Sequence, residues 1–197
     1  TDDNGNIFMI GAYTGTGDFD PDTSTINLTS NGSFDAYILK LTKSGQYAWA
    51  KSFGGPGYDI GYSFDLDKKG RIYSTGVFAD SVDFDPGTGT SLLKSNGEGD
   101  IFVNVLDSNG NYLSASSSGS SGYDYGRCIS TSNFGDLYIS GNFQDTLNVK
   151  IGPIDSTFIS NGNSDVFQSK FSLCSADSTT ETLTACNQFT WIDGQTY

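Results

Sequence analysis

The chain has 197 residues, of which 36% are hydrophobic, so its apolar residues suffice for thin packed layers but not for one broad core. It carries 23 acidic against 10 basic residues and no histidine, a net charge of −13 that opposes binding to nucleic acid or anionic lipid and excludes imidazole bases and ligands. The acids are 21 Asp and two Glu (Glu98, Glu181); with 25 Gly, 14 Phe and 11 Tyr, this turn-rich composition is that of an all-β protein.

An internal period organises the chain. Gly5, Gly70 and Gly135 are spaced by 65 residues, and so are Gly11, Gly76 and Gly141. The same offset relates Ser30-Asn31-Gly32, Ser95-Asn96-Gly97 and Ser160-Asn161-Gly162, followed by Asp35, Asp100 and Asp165. The repeats are residues 1–61, 62–126 and 127–173, and no gap is needed to align them.

Each copy is predicted to form four or five strands. In the middle copy these are Tyr62 to Leu66, then Arg71 to Phe78, a third region combining Ser91 to Ser95 with Asp100 to Leu106, and a last strand from Tyr112 to Ser116. Asp67-Lys68-Lys69-Gly70 and Asp107-Ser108-Asn109-Gly110 are turns with Gly where φ must be positive. No segment has helical periodicity, no apolar run is long enough for a membrane helix, and residues 1–30 lack a signal-peptide profile. A sheet this small with apolar residues on both faces needs neighbours, so the copies are expected to stack like propeller blades. The columns Tyr13, Phe78, Phe143 and Phe8, Tyr73, Tyr138 are the expected packing layers. A tandem of sandwiches is the rival, although 65 residues is short of the roughly 100 of that unit.

The passage Trp49-Ala50-Lys51-Ser52-Phe53-Gly54-Gly55, with Gly57-Tyr58-Asp59-Ile60-Gly61 and Asp67 to Gly76, resembles the bacterial seven-bladed β-propeller repeat family over residues 3–173. That run is intact only once, since the next copy has Ser114, Ser116, Gly119 and Ser120 at the corresponding places. The resemblance implies a secreted or surface protein, commonly part of a long multidomain chain, with no shared catalytic set. The expected fold is therefore a partial propeller of about two and a half to three four-stranded blades, read as a piece of a longer polypeptide. Residues 174–197, containing Ala185-Cys186-Asn187-Gln188-Phe189-Thr190-Trp191 and Gly194-Gln195-Thr196-Tyr197, resemble the start of a sandwich-like module of Bacteroidetes surface proteins, many of them exported by the type IX route. One disulfide is expected in this tail, between Cys174 and Cys186, and Cys128 is expected to be a buried thiol.

Several carboxylates are candidate site residues. Asp18, Asp20 and Asp22 recur as Asp83 and Asp85; alternation along a strand would set paired oxygens on one face with Phe inward, an arrangement suited to Ca²⁺, while a Pro turn with Asp accepting local amides is the other reading. The third copy has Asn148, Val149 and Lys150 there. Asp35, Asp100 and Asp165 follow the Ser-Asn-Gly turns in every copy, which points to a structural task. Asp59 and Asp124, within Gly-Tyr-Asp-x-Gly, are read either as turn caps or as ligand-loop residues near a channel mouth. No two acids stand out as a glycosidase pair. Ser81, Thr146, Ser156 and Ser178 follow Asp as in a Bacteroidetes O-glycosylation signal, and Asn27 and Asn31 fit the N-glycosylation pattern.

The expected role is a non-catalytic adhesion or interaction scaffold at the surface of, or outside, a Gram-negative bacterium. It requires no cofactor, Ca²⁺ being the one cofactor weighed, and its partners are other domains of the same chain and protein or glycan ligands. A glycan-binding or glycan-cleaving propeller with its site at the channel mouth is the alternative.

Overall fold

The computed structural model describes residues 1–151, 154–173 and 185–186. Among these residues the protein is all-β, with no helix, and thus none long and apolar enough to cross a membrane. The first repeat contributes β1 (Ile7–Tyr13), β2 (Thr16–Asp18), β3 (Asn27–Thr29), β4 (Asp35–Leu41) and β5 (Tyr47–Phe53). The second contributes β6 (Asp59–Leu66), β7 (Ile72–Phe78), β8 (Ser81–Asp83), β9 (Leu92–Lys94), β10 (Asp100–Leu106) and β11 (Tyr112–Ser118). The third contributes β12 (Tyr125–Thr131), β13 (Asp136–Phe143), β14 (Thr146–Ile151), β15 (Ile154–Ile159) and β16 (Asp165–Leu173), and the tail contributes β17 (Ala185–Cys186).

Main sheets and small hairpins alternate. The second sheet runs β6-β7-β10-β11, all antiparallel neighbours, and the third runs β12-β13-β16-β17 in the same order. The first sheet, β1-β4-β5, has three strands among the described residues. Each repeat also carries one hairpin outside its main sheet: β2-β3, β8-β9 or β14-β15. The third region expected in the middle copy is thus two elements, because the Ser95-Asn96-Gly97 turn ends β9 before Asp100 opens β10.

The corner into each hairpin explains why the repeat tolerates different residues there. Gly15, Asp80 and Asp145 are spaced by 65 residues and have φ of 67°, 60° and 52°. Gly adopts this left-handed region freely, and Asp is among the few other residues that enter it readily. Their carbonyls accept the amides of Ser30, Ser95 and Ser160 at 2.9, 2.8 and 2.7 Å, closing each hairpin in the same way.

The sheets stack in chain order. On β10, Phe102 and Leu106 face the first sheet, in a core with Ile38, Phe53, Phe78 and Phe84, whereas Ile101, Val103 and Val105 face the third, with Ile139, Val149 and Phe167. All seven residues of β10 are buried, which accounts for its apolar run. Fully burying a side chain of this size stabilises by about 1.5–3 kcal/mol, so the two-faced strand anchors both layers. Of the expected columns, Phe78, Phe143, Phe8 and Tyr73 are buried, while Tyr13 and Tyr138 are half-buried on the first and third sheets. On the outer face of the third sheet Val166 is 80% exposed. The sheets do not close into a ring among the described residues.

First strands of successive sheets are also tied by side chains. Asp65 on β6 accepts the Thr131 amide at 2.7 Å and the Thr131 hydroxyl at 3.0 Å from β12, and Ser63 Oγ accepts the Ile129 amide at 3.2 Å. Cys128 is exposed, which corrects the expectation of a buried thiol. A register shift against β13 between Gly126 and Cys128 turns both Arg127 and Cys128 outward between the buried Gly126 and Ile129. Cys174, Ser178 and the Ser156 side chain lie outside the described residues, as does all of the expected tail module except the backbone of β17.

Candidate functional site

The repeated carboxylates collect where one sheet meets the next. In the first seam Phe34 bridges to Tyr58, and in the second Gly99 bridges to Tyr123, both in parallel sense. The Asp59 amide donates to the Phe34 carbonyl and the Asp124 amide to the Gly99 carbonyl, each at 2.8 Å. Each seam therefore sets Asp35 beside Asp59 or Asp100 beside Asp124, all four of them buried.

Backbone amides use most of these oxygens. Both oxygens of Asp35 lie 3.0 Å from the Asn31 amide that donates to them. Asp59 accepts Gly55 N–H at 2.7 Å and Ala79 N–H at 3.2 Å. In the second seam Asp100 Oδ2 accepts the amide and the side-chain Nδ2 of Asn96, each at 3.0 Å. Asp124 accepts Ser120 N–H at 2.6 Å and Gln144 N–H at 3.0 Å, with the Ser120 hydroxyl 2.9 Å away. Asp165 accepts the Asn161 amide at 2.8 Å. Gly54 and Gly119 make the close approach possible, since a Cβ at either position would overlap the Asp35 or Asp100 carboxylate.

Burial without a cationic partner dominates the electrostatics. Desolvation pushes the Asp59 carboxyl up to about 7 and that of Asp100 up to about 6, against the opposing pull of their amide hydrogen bonds. Asp35 and Asp124 are raised for the same reason. Within each seam the neighbouring Asp adds like-charge repulsion, Asp35 on Asp59 and Asp124 on Asp100. Chemically, such a pair holds chain segments together and takes up protons as the pH falls.

The hairpin carboxylates stand apart from the seams. Asp18 Oδ1 accepts the amides of Asp20 at 3.1 Å and Ile26 at 2.9 Å, and Asp20 Oδ1 accepts that of Asp22 at 2.9 Å. Asp83 Oδ1 accepts Asp85 at 3.1 Å and Ser91 at 2.7 Å, and Asp85 Oδ1 accepts Gly87 at 2.7 Å. Hydrogen bonds from Ile26 and Asp20 hold Asp18 below the usual carboxylate range. Phe19 and Phe84 between them point inward. Among the described residues no group of three or more Asp, Glu or Cys side chains gathers around a common point. Ser81 and Thr146 are half-buried at the start of β8 and β14, whereas Asn27 and Asn31 are exposed.

Sequence reasoning passed over a cluster beside the second seam. The Tyr123 and Tyr125 rings stack at 6.1 Å, Tyr125 lies 6.4 Å from Tyr62, and the Arg127 guanidinium sits 4.3 Å over Tyr125 and 4.7 Å over Tyr62. The hydroxyls of Tyr58 and Tyr123 donate to the Glu98 carbonyl and carboxylate at 3.1 and 3.4 Å. Tyr58 and Tyr123 recur within Gly-Tyr-Asp-x-Gly, which was the available signal; one period before Arg127 and Glu98 stand Tyr62 and Ser33. No family model matches the chain, and no curated protein matches it.

Proposed function

We propose that the chain is a non-catalytic segment of a β-propeller, resembling the bacterial seven-bladed repeat family, that serves as an adhesion or interaction scaffold on the surface of, or outside, a Gram-negative bacterium. One observation carries this reading: both seams use the same buried Asp pair for the same purpose, accepting backbone amides. A catalytic pair needs one carboxylate reserved for substrate, and repetition of one structural duty in each copy argues against that. The face-to-face stacking in chain order supports blades as the unit. Export by the type IX route and the tail disulfide between Cys174 and Cys186 belong to the same proposal and rest on the tail resemblance.

The experiment is a hydrolysis screen of the protein against labelled glycans, with Asp59→Asn and Asp124→Asn beside it. We expect no turnover with any of the three proteins. Turnover that either substitution abolishes, in a variant that still melts cooperatively, overturns the scaffold reading. For the location, protease added to intact cells of the source bacterium is expected to degrade the protein, and full protection while the cells stay intact refutes surface display.

A further inference from the structure

Phe53 fills the first seam. It is 2% exposed, and its ring lies 5.5 Å from Phe84 and 5.6 Å from Phe102. The counterpart of Phe53 in the second seam is Ser118, and that of Phe84 is Val149, so two rings are replaced by small side chains. Gly55 also changes. It packs so closely on the Ser81 carbonyl that a Cβ would overlap it, yet its counterpart is Ser120, whose hydroxyl lies 2.9 Å from the Gln144 carbonyl.

The second seam is accordingly less well filled. A void of about 10 Å³ remains against Ser118, Val149 and Phe167. Ser118 also borders an open cleft of about 510 Å³ between the end of β11, the β9 edge and the start of β14. That volume lies within the ~300–1,000 Å³ of small-molecule sites. The cleft is lined by Ser117, Ser121, Thr146, Asn96, Asn148 and Lys94. The Ser121 hydroxyl donates to Asp145 at 3.0 Å, Asn96 Nδ2 donates to Asp100, and Asn148 Oδ1 accepts the Thr157 hydroxyl at 2.9 Å, which leaves the Asn96 oxygen and the Asn148 amide nitrogen without those bonds. Gly119 forms part of its wall, and the Asp100 carboxylate lies directly against that glycine. Asp100 is fully buried, and its Oδ1 has no hydrogen-bond partner among the described residues, whereas both oxygens of the equivalent Asp35 are used. A polar atom in that condition is costly unless something donates to it.

We propose that this cleft is a binding site for a neutral saccharide. Hydroxyl and amide side chains both donate and accept, which matches the alternating demands of sugar hydroxyls. Lys94 and Asp145 balance each other in the lining, and the net charge of −13 disfavours polyanions. The proposal goes beyond the scaffold reading and does not depend on it, because binding here requires no turnover and no closed ring.

The test is ligand-observed NMR of the protein with neutral cello-, malto-, manno- and xylo-oligosaccharides, with polygalacturonate and heparin as anionic arms. At least one neutral oligosaccharide is expected to give saturation transfer at millimolar concentration. Ser118→Phe/Ser120→Gly, which restores the first-seam residues at two of the three changed positions, and Ser121→Trp, which obstructs the exposed rim without altering the core, are each expected to weaken that binding at least tenfold. The Ser121→Trp variant is expected to melt with the wild type, so that loss of binding is separable from loss of fold. Absence of binding to every neutral sugar, binding confined to the anionic arms, or binding unchanged in Ser121→Trp overturns the proposal. None of these outcomes bears on the hydrolysis screen.

Discussion

The carboxylate of Asp59 accepts at 3.2 Å the amide of Ala79, the residue after Phe78 with which Asp59 pairs on β7, while its other oxygen holds Gly55 at 2.7 Å. One buried side chain thus fixes both the segment entering β6 and the corner leaving β7. Asp59→Ala leaves two buried donors without an acceptor, each costing ~1–3 kcal/mol, and the expected loss in denaturant unfolding is about 3 kcal/mol. Asp124→Ala is expected to match it. Asp3 is exposed, so Asp3→Ala is expected to stay within ~0.5 kcal/mol of wild type. Equal effects at positions 3 and 59 would refute a structural duty for the seam carboxylates.

The same pairs set the pH dependence. Asp59 titrates near 7 and Asp100 near 6 in the fold, against about 3.9 in an unfolded chain. Between those values the folded state binds more protons than the unfolded one, so stability from these groups is complete below about pH 4 and is lost as the pH rises towards 7. Asp2 and Asp18 act in the opposite sense, their depressed values withdrawing stability as the pH falls below about 4. The melting temperature is therefore expected to be higher at pH 5 than at pH 8. Self-repulsion of a highly acidic chain contributes in the same direction but is screened by salt. The difference is expected to persist in 0.5 M NaCl and to shrink in Asp59→Asn; a flat profile at high salt would count against proton uptake in the seams.

What the sequence revealed depended on repetition. Asp35 and Asp100, Gly54 and Gly119, and the strands around Gly11, Gly76 and Gly141 recur at one spacing, so they could be found by aligning the chain with itself. Residues that act once were invisible to that comparison. Asp65 ties β6 to Thr131, but its counterpart is Ser130, and no spacing marks it. The outward turn of Cys128 comes from a register shift that composition does not encode. Ser118 stands one period after Phe53, but the small void beside it follows only once Val149, one period after Phe84, is placed across the same layer.

Aligned glycines offer an internal control on the packing. A Cβ at Gly76 would overlap the Ile60 carbonyl and approach the Phe102 ring at 2.8 Å; at Gly141 it would overlap the Tyr125 carbonyl and approach Phe167 at 2.8 Å. At Gly11 the nearest atoms belong to the Tyr37 ring, at 3.0 Å, and a side chain can yield where a paired backbone cannot. Gly76→Ala and Gly141→Ala are expected to cost about 3 kcal/mol or more, and Gly11→Ala about 1 kcal/mol. If Gly11→Ala proves as damaging as Gly76→Ala in thermal unfolding, another strand lies against β1 where the first sheet now shows none.

The hairpin carboxylates separate turn capping from cation binding. Asp83 Oδ1 accepts the amides of Asp85 and Ser91, and Asn keeps an acceptor oxygen in that place while removing the charge. Asp83→Asn is therefore expected to unfold within ~0.5 kcal/mol of wild type, whereas Asp83→Ala loses both hydrogen bonds and costs about 1–2 kcal/mol. Calcium acts on a different term, because a ligand bound only to the folded state raises stability with its concentration. Melting in millimolar Ca²⁺ and in chelator is expected to give the same midpoint for wild type and Asp83→Asn. A midpoint that rises with Ca²⁺ in wild type alone would assign a cation to the β8-β9 hairpin, with Asp83 and Asp85 as its ligands.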